Sequence, residues 1–118
     1  MSTDNQYEEL TGTGQFVKWD TIGQEVEGTI VMFTADGGKD FDQNSCPELT
    51  VDTDDGLQTI TCAQANIKSK VLSNAAKLLP GAPCKVVYSG IYESKNGTPG
   101  KEFRLLVGAV PAPQLNEL

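Results

Sequence analysis

Hydrophobic and polar positions alternate along most of this chain, and one segment breaks the alternation. From Gln24 to Phe33 the period is two: Val26, Gly28, Ile30 and Met32 point one way, Glu27, Thr29, Val31 and Phe33 the other. That is the mark of a half-buried strand. Gly28 inside the run predicts a bend or a close backbone approach, as at the tight curve of a small barrel. A Gly- and Asp-rich loop is expected over Ala35–Ser45. Two short strands, Glu48–Asp52 and Gln58–Cys62, follow around Thr53-Asp54-Asp55-Gly56, where Asp-Gly between β-formers signals a hairpin. From Asn66 to Leu79 the period changes. Ile67, Val71, Leu72, Ala75, Leu78 and Leu79 fall at helical spacing until Pro80-Gly81 stops the run. Two β-rich runs, Pro83–Tyr92 and Gly100–Val107, close the chain as a hairpin across a turn from Ser94 to Gly100.

The order is strand, hairpin, helix, hairpin. It predicts a mainly β domain of the oligonucleotide-binding (OB) type, a five-stranded Greek-key barrel with one helix between strands 3 and 4. Phe16-Val17-Lys18-Trp19 opens the ordered part, so the domain is expected over residues 14–110. Residues 1–13 form an acidic, flexible N-terminal segment in this reading, and residues 111–118 a flexible tail. The Pro111-Ala112-Pro113 part of that tail cannot form a strand. At 118 residues the chain is one domain, able to bury roughly 65% of its unfolded surface.

Composition changes the picture mainly through charge. The net charge of −7 counts against a nucleic-acid partner, yet its distribution matters more, because salt screens beyond about 8 Å. Acids dominate residues 4–9, 20–27 and 36–55, whereas Asn66 to Arg104 holds seven Lys/Arg and only two acids, Glu93 and Glu102. No run of 18 apolar residues exists to span a membrane. The N-terminus lacks the basic and apolar regions of a signal peptide. Three separated cysteines, Cys46, Cys62 and Cys84, read as free thiols in a reducing compartment. A soluble cytoplasmic domain is expected.

The closing hairpin interleaves flat rings with cations, a combination that can stack bases and track phosphates together. Candidate rings are Trp19, Phe33, Tyr88, Tyr92 and Phe103, with Phe41 in the long loop. Phe103 shares parity with Leu105 and Val107, which assigns it to the core, and Tyr88 follows Val86 inward with its hydroxyl at the rim. Phe33 lies on the polar parity of its strand and Tyr92 at the end before the turn, so both are expected outside. Trp19 either caps the barrel or stacks a base. Candidate phosphate contacts are Lys39, Lys85, Lys95, Lys101 and Arg104, with Lys18 a sixth. Lys39 belongs to the loop between the first two strands and Lys95 and Lys101 to the last loop or its edge, the two loops that flank an OB groove. Lys68, Lys70 and Lys77 lie on the helix and are left out.

Catalysis and metal chemistry find little support. Asp40-x-Asp42-x-Asn44 begins like a calcium loop, but Ser45 stands where Gly is needed and Val51 where Glu closes the site. Zinc has no histidine and no close cysteine pair here. No histidine is present to activate a Ser or Cys nucleophile. Gly38-Lys39 and Gly100-Lys101 both lack the Ser or Thr and the upstream Gly of a phosphate-binding loop. Neither an enzyme nor a cofactor is expected.

Phe16-Val17-Lys18-Trp19, Gly23-x-x-Val26-Glu27-Gly28, Leu79-Pro80-Gly81, Val86-x-Tyr88-x-Gly90 and Gly100-Lys101-x-Phe103-x-Leu105-x-Val107 together resemble small OB-fold single-stranded-DNA-binding proteins of tailed bacteriophages. The resemblance covers residues 14–110. It implies a protein that coats single-stranded DNA, largely without sequence preference, during phage replication or recombination in the cytoplasm of an infected bacterium. Replication or recombination proteins would be its further partners. Many such proteins end in a strongly acidic tail, whereas this chain ends Gln114-Leu115-Asn116-Glu117-Leu118, so the resemblance does not extend to recruitment through that tail. An exposed edge of the first or last strand could pair between two copies as a dimer, though nothing demands it. The alternative from another class is an OB-fold protein-interaction module, an adaptor or inhibitor whose acidic residues 36–55 dock on a host protein.

Overall fold

The structure, a computed structural model, describes residues 15–40, 42–93 and 97–111. Six strands and one α-helix follow each other as β1 (Gln15–Phe16), β2 (Glu25–Lys39), β3 (Ser45–Thr53), β4 (Gly56–Thr61), α1 (Ala65–Ser73), β5 (Pro83–Glu93) and β6 (Pro99–Val107). A 3₁₀ turn at Ala75–Lys77 follows the helix. All six strands form one mixed sheet in the order β1-β4-β3-β2-β5-β6. The fold is therefore mainly β, with the helix between β4 and β5 as the sequence pattern predicts. It has six strands where five were expected. Among the described residues no pairing of β6 with β4 closes the sheet.

Short loops set the antiparallel neighbours. The Asp54-Asp55 turn joins β3 to β4, with Thr53 Oγ1 donating to the Gly56 carbonyl at 2.8 Å and accepting from Asp55 N–H at 3.1 Å. The expected Ala35–Ser45 loop is mostly strand, since β2 runs on to Lys39, which pairs with Ser45. Only Asp40–Asn44 turns, because the Asp40 carboxylate accepts from the N–H groups of Asp42 and Asn44, both at 2.9 Å. Asp40 is thus a turn former.

Inward residues of the strands and the helix meet in one core: Val26, Ile30, Leu49, Val51, Ile60, Val86, Tyr88 and Phe103 with Ile67, Val71 and Leu78. The helix ends earlier than Leu79. Asn74 turns its amide back onto the Lys70 carbonyl at 2.8 Å, and such side-chain bonds compete with helix continuation. The tighter turn after it brings Leu78 into the core while Leu72 and Leu79 stay exposed. No helix among the described residues is long and apolar enough to cross a membrane.

Of three register shifts in the ladders, between Ile30 and Met32, Thr34 and Gly38, and Tyr88 and Gly90, the first and last insert a single residue and so reset the strand parity. On β2 the register passes from Ile30↔Val51 to Met32↔Thr50, leaving Val31 as an extra residue. On β5 it passes from Tyr88↔Phe103 to Gly90↔Glu102, leaving Ser89 extra, and Ser89 Oγ donates to the Glu102 carbonyl at 3.1 Å. A bulge inserts one residue and turns every later side chain to the other face.

Gly28 makes the close approach its position predicts. A Cβ there would sit 2.0 Å from the Asp52 carbonyl oxygen across the β2–β3 pair. Gly28→Ala must move main chain, so a loss of about 3 kcal/mol, a fall of about 10 °C or more in melting temperature, is expected by thermal denaturation. A variant melting with the parent would show that the two strands have room to separate.

All three cysteines are free and buried. Burial pushes the Cys62 thiol up to about 12, with Cys46, Glu48 and Cys84 adding in the same direction, and the Cys84 thiol up to about 11. Burial raises Cys46 as well. A folded-state value above the ordinary 9.0 means that the neutral thiols contribute full stability below pH 9 and lose it as pH climbs through 11 to 12. At pH 8 a thiol reagent should therefore label none of the three before denaturant is added. Melting temperature should fall between pH 9 and 11, less steeply in Cys84→Ala. Rapid labelling of the folded protein at pH 8 would contradict this.

Candidate nucleic-acid interface

The residues from β1 to β2 build one wall of an open groove. β1 pairs parallel with β4, and Val17 N–H continues the ladder to the Thr59 carbonyl at 2.8 Å. Alternation then places Val17 and Trp19 against the core and leaves Phe16 and Lys18 outside. Trp19 lays its ring on Phe103, centroids 5.2 Å apart and planes at 71°, an edge-to-face contact. The opposite walls come from the β2–β3 hairpin and from β6. Phe16, Lys18, Trp19, Lys39, Gln43 and Lys101 all line this groove, whose volume is about 530 Å³.

Charge in the groove is mixed but leans positive. Three lysines face two acids, Asp20 and Asp40, and the Asp40 carboxylate is already engaged by two backbone N–H groups. Lys101 shares parity with Phe103, so it stands on the core side of β6 where the hairpin extends past the core. Its ammonium lies over the Tyr88 ring, 5.7 Å from the centroid. Tyr88 in turn meets Phe103 at 5.6 Å, so Lys101, Tyr88, Phe103 and Trp19 form one connected row.

Of the residues expected from sequence, the groove brings together Trp19, Lys39, Lys101 and the sixth cation Lys18. The others separate. Arg104 is exposed, as its parity predicts, but on the opposite face of the sheet from Lys101. Lys85 lies on that face too, inside a row of Glu25, Glu27 and Arg104. Its ammonium pairs with the Glu25 carboxylate at 3.3 Å, so its charge is largely compensated, at a net contribution of about 0–1 kcal/mol.

Phe33 is placed differently from expectation, and Tyr92 lies outside but off the groove, in each case because of a bulge. Val31 shifts β2 by one, so Phe33 faces inward beside Leu49 and packs half-buried on the core, while Met32 turns out. Ser89 shifts β5 by one, so Tyr92 faces away from the groove and Ile91 takes the groove side opposite Lys101. The Tyr92 ring lies across its partner Gly100, where a Cβ would be 2.7 Å from the ring. Phe41 and Lys95 lie outside the described residues.

The sequence reading missed Phe16, which is 63% exposed at the mouth of the groove. The signal was present in the alternation of Phe16-Val17-Lys18-Trp19, which cannot bury both aromatic rings on one face. Among the described residues no group of three His, Cys, Asp or Glu side chains is placed to hold a metal ion. Set against known proteins, the chain matches no family model, no curated protein and no solved structure.

Phe33→Ala removes a ring that packs on the core. It should cost about 2–3 kcal/mol of stability and leave the groove's chemistry intact, as read by denaturant unfolding. An unchanged unfolding midpoint would return Phe33 to the surface that sequence parity assigned it.

Proposed function

We propose that this protein binds single-stranded DNA with little sequence preference, by stacking bases on Trp19 and Phe16 while Lys18, Lys39 and Lys101 neutralise phosphates. The observation that carries this reading is the placement of two accessible rings among three lysines in one open groove of about 530 Å³. Any base offers a π-face to such a ring, and each stacked base contributes about 1–3 kcal/mol. Of these two rings Trp19 belongs to the set expected from sequence and Phe16 does not.

The architecture supports the same reading. Setting β1 aside, strands β2 to β6 with the helix after β4 reproduce the element order of the OB fold, a partly open five-stranded barrel. In that fold the loops after the first and fourth strands flank the ligand. Here the first of these is the Asp40–Asn44 hairpin, whose foot supplies Lys39. Coating of single strands in phage replication or recombination is the setting that the sequence resemblance implies.

Fluorescence anisotropy of a labelled oligo-dT of about 30 nucleotides, at two salt concentrations and with duplex competitor, tests the reading. Micromolar or tighter binding is expected, weakened by salt and not displaced by duplex. Trp19→Ala and Phe16→Ala should each weaken it by about 5- to 150-fold, the equivalent of one stacked base. Lys18→Ala, Lys39→Ala and Lys101→Ala should each reduce the salt slope by about 0.7, while Lys85→Ala and Arg104→Ala leave it unchanged. Absence of binding at low salt would end the single-strand reading. The net charge of −7 would then direct attention to a protein partner for the acidic surface.

A further inference from the structure

Trp19 lies between strands, in a stretch with no ladder of its own to hold it. One side chain replaces that ladder. Gln24 Oε1 accepts from Asp20 N–H at 3.0 Å and from Thr21 N–H at 3.4 Å, while its Nε2 donates to the Lys18 carbonyl at 2.6 Å. These three backbone groups bracket Trp19 on both sides. Gln24 is itself fixed by main chain: its N–H donates to the Thr21 carbonyl at 3.0 Å and its carbonyl accepts from Tyr88 N–H at 2.9 Å. The neighbouring Gly23 N–H donates to the Tyr88 carbonyl at 2.7 Å. From Tyr88 the ring contacts run through Phe103 back to Trp19. The circuit is closed, with the Trp19 backbone held from one side and its ring from the other.

Gln24 does not line the groove, and nothing in the hydrophobic pattern marks it. We propose that Gln24 is the positioning residue of the groove, fixing the Lys18–Thr21 turn so that Trp19 stands ready to stack a base and Lys18 stands beside it. The inference rests on the single-strand-binding reading for its purpose. Its chemistry is specific to a carboxamide, which donates and accepts at once. A carboxylate at this position can still accept from Asp20 and Thr21 but faces the Lys18 carbonyl without a donor, and alanine satisfies none of the three. A turn already ordered before binding loses less freedom when the ligand arrives, and that difference appears as affinity.

Trp19 is the only tryptophan of the chain, so its emission reports the turn directly. In Gln24→Ala, steeper acrylamide quenching of Trp19 and a red-shifted emission are expected with the melting transition retained. Oligo-dT binding should weaken by about 5-fold or more, the lower end of what one stacked base contributes, and Gln24→Glu should fall between alanine and the parent. Because Gln24 acts through Trp19, the double variant Gln24→Ala/Trp19→Ala should bind no more weakly than Trp19→Ala alone. Unchanged Trp19 emission and quenching in Gln24→Ala, or losses that simply add, overturns the proposal. If Gln24→Ala does not fold, Gln24→Glu carries the same comparisons. If the parent itself fails to bind oligo-dT at low salt, the single-strand reading falls. The quenching comparison then still decides the positioning role, steeper quenching upholding it and unchanged quenching ending it.

Discussion

Phe103 is held at both its side chain and its backbone, and the rest of the molecule is arranged around that double hold. Its ring is fully buried and touches Trp19 and Tyr88. Its N–H and carbonyl point out of the sheet edge, where they would lack partners in a strand with only one neighbour. Both are taken by the helix: Asn66 Oδ1 accepts from Phe103 N–H at 2.9 Å, and the Lys70 ammonium donates to the Phe103 carbonyl. Leaving either group buried and unpaired would cost about 1–3 kcal/mol. One residue thus joins the sheet edge, the helix and the turn that carries the groove's tryptophan.

That arrangement also accounts for the open sheet. A strand beside β6 would need the hydrogen-bonding positions that Asn66 and Lys70 fill. The helix covers the edge at its most buried point, one of the ways in which proteins manage unpaired strands. The far edge is managed differently, by the short parallel strand Gln15–Phe16 on β4. The two edges then meet through side chains, Trp19 on Phe103, with the groove lying outside that contact. Lys70, set aside on sequence grounds as a helix lysine remote from any ligand, turns out to be a structural cation half-buried at this junction.

Period and turn chemistry made much of this legible. The Asp54-Asp55-Gly56 hairpin, the helix after β4, the inward Phe103 and the close approach at Gly28 all follow from local rules that tertiary contacts did not overturn. The displacements of Phe33 and Tyr92 have one physical origin. A period-two reading assumes that no residue is inserted, and bulges at Val31 and Ser89 each insert one. Phe33, downstream of the first, was therefore assigned to the wrong face, and Tyr92, downstream of the second, lies off the groove. Lys101 and Arg104 sit on a strand without such an insertion, yet they fall on opposite faces because they are three residues apart. Both were candidates by charge, which carries no information about the face. Gln24 was invisible for another reason: its role depends on where the chain on either side of Trp19 is brought, which no periodicity encodes.

The excess of acid over base need not oppose the proposed role, because the groove separates local from global charge. Glu25 pairs with Lys85 on the opposite face, and the Asp40 carboxylate is engaged by N–H groups of its own hairpin. These two acids thus serve structure, while Lys18, Lys39 and Lys101 remain beside the rings with Asp20. A protein of net charge −7 gains little long-range attraction for a polyanion, so three phosphate contacts give only a shallow salt dependence, about −2 on the logarithmic scale. Affinity must then come chiefly from stacking. A site that relies on stacking depends on how rigidly its ring is presented, and so the hold on Phe103, which fixes the position of Trp19, is at the same time the hold on the proposed ligand.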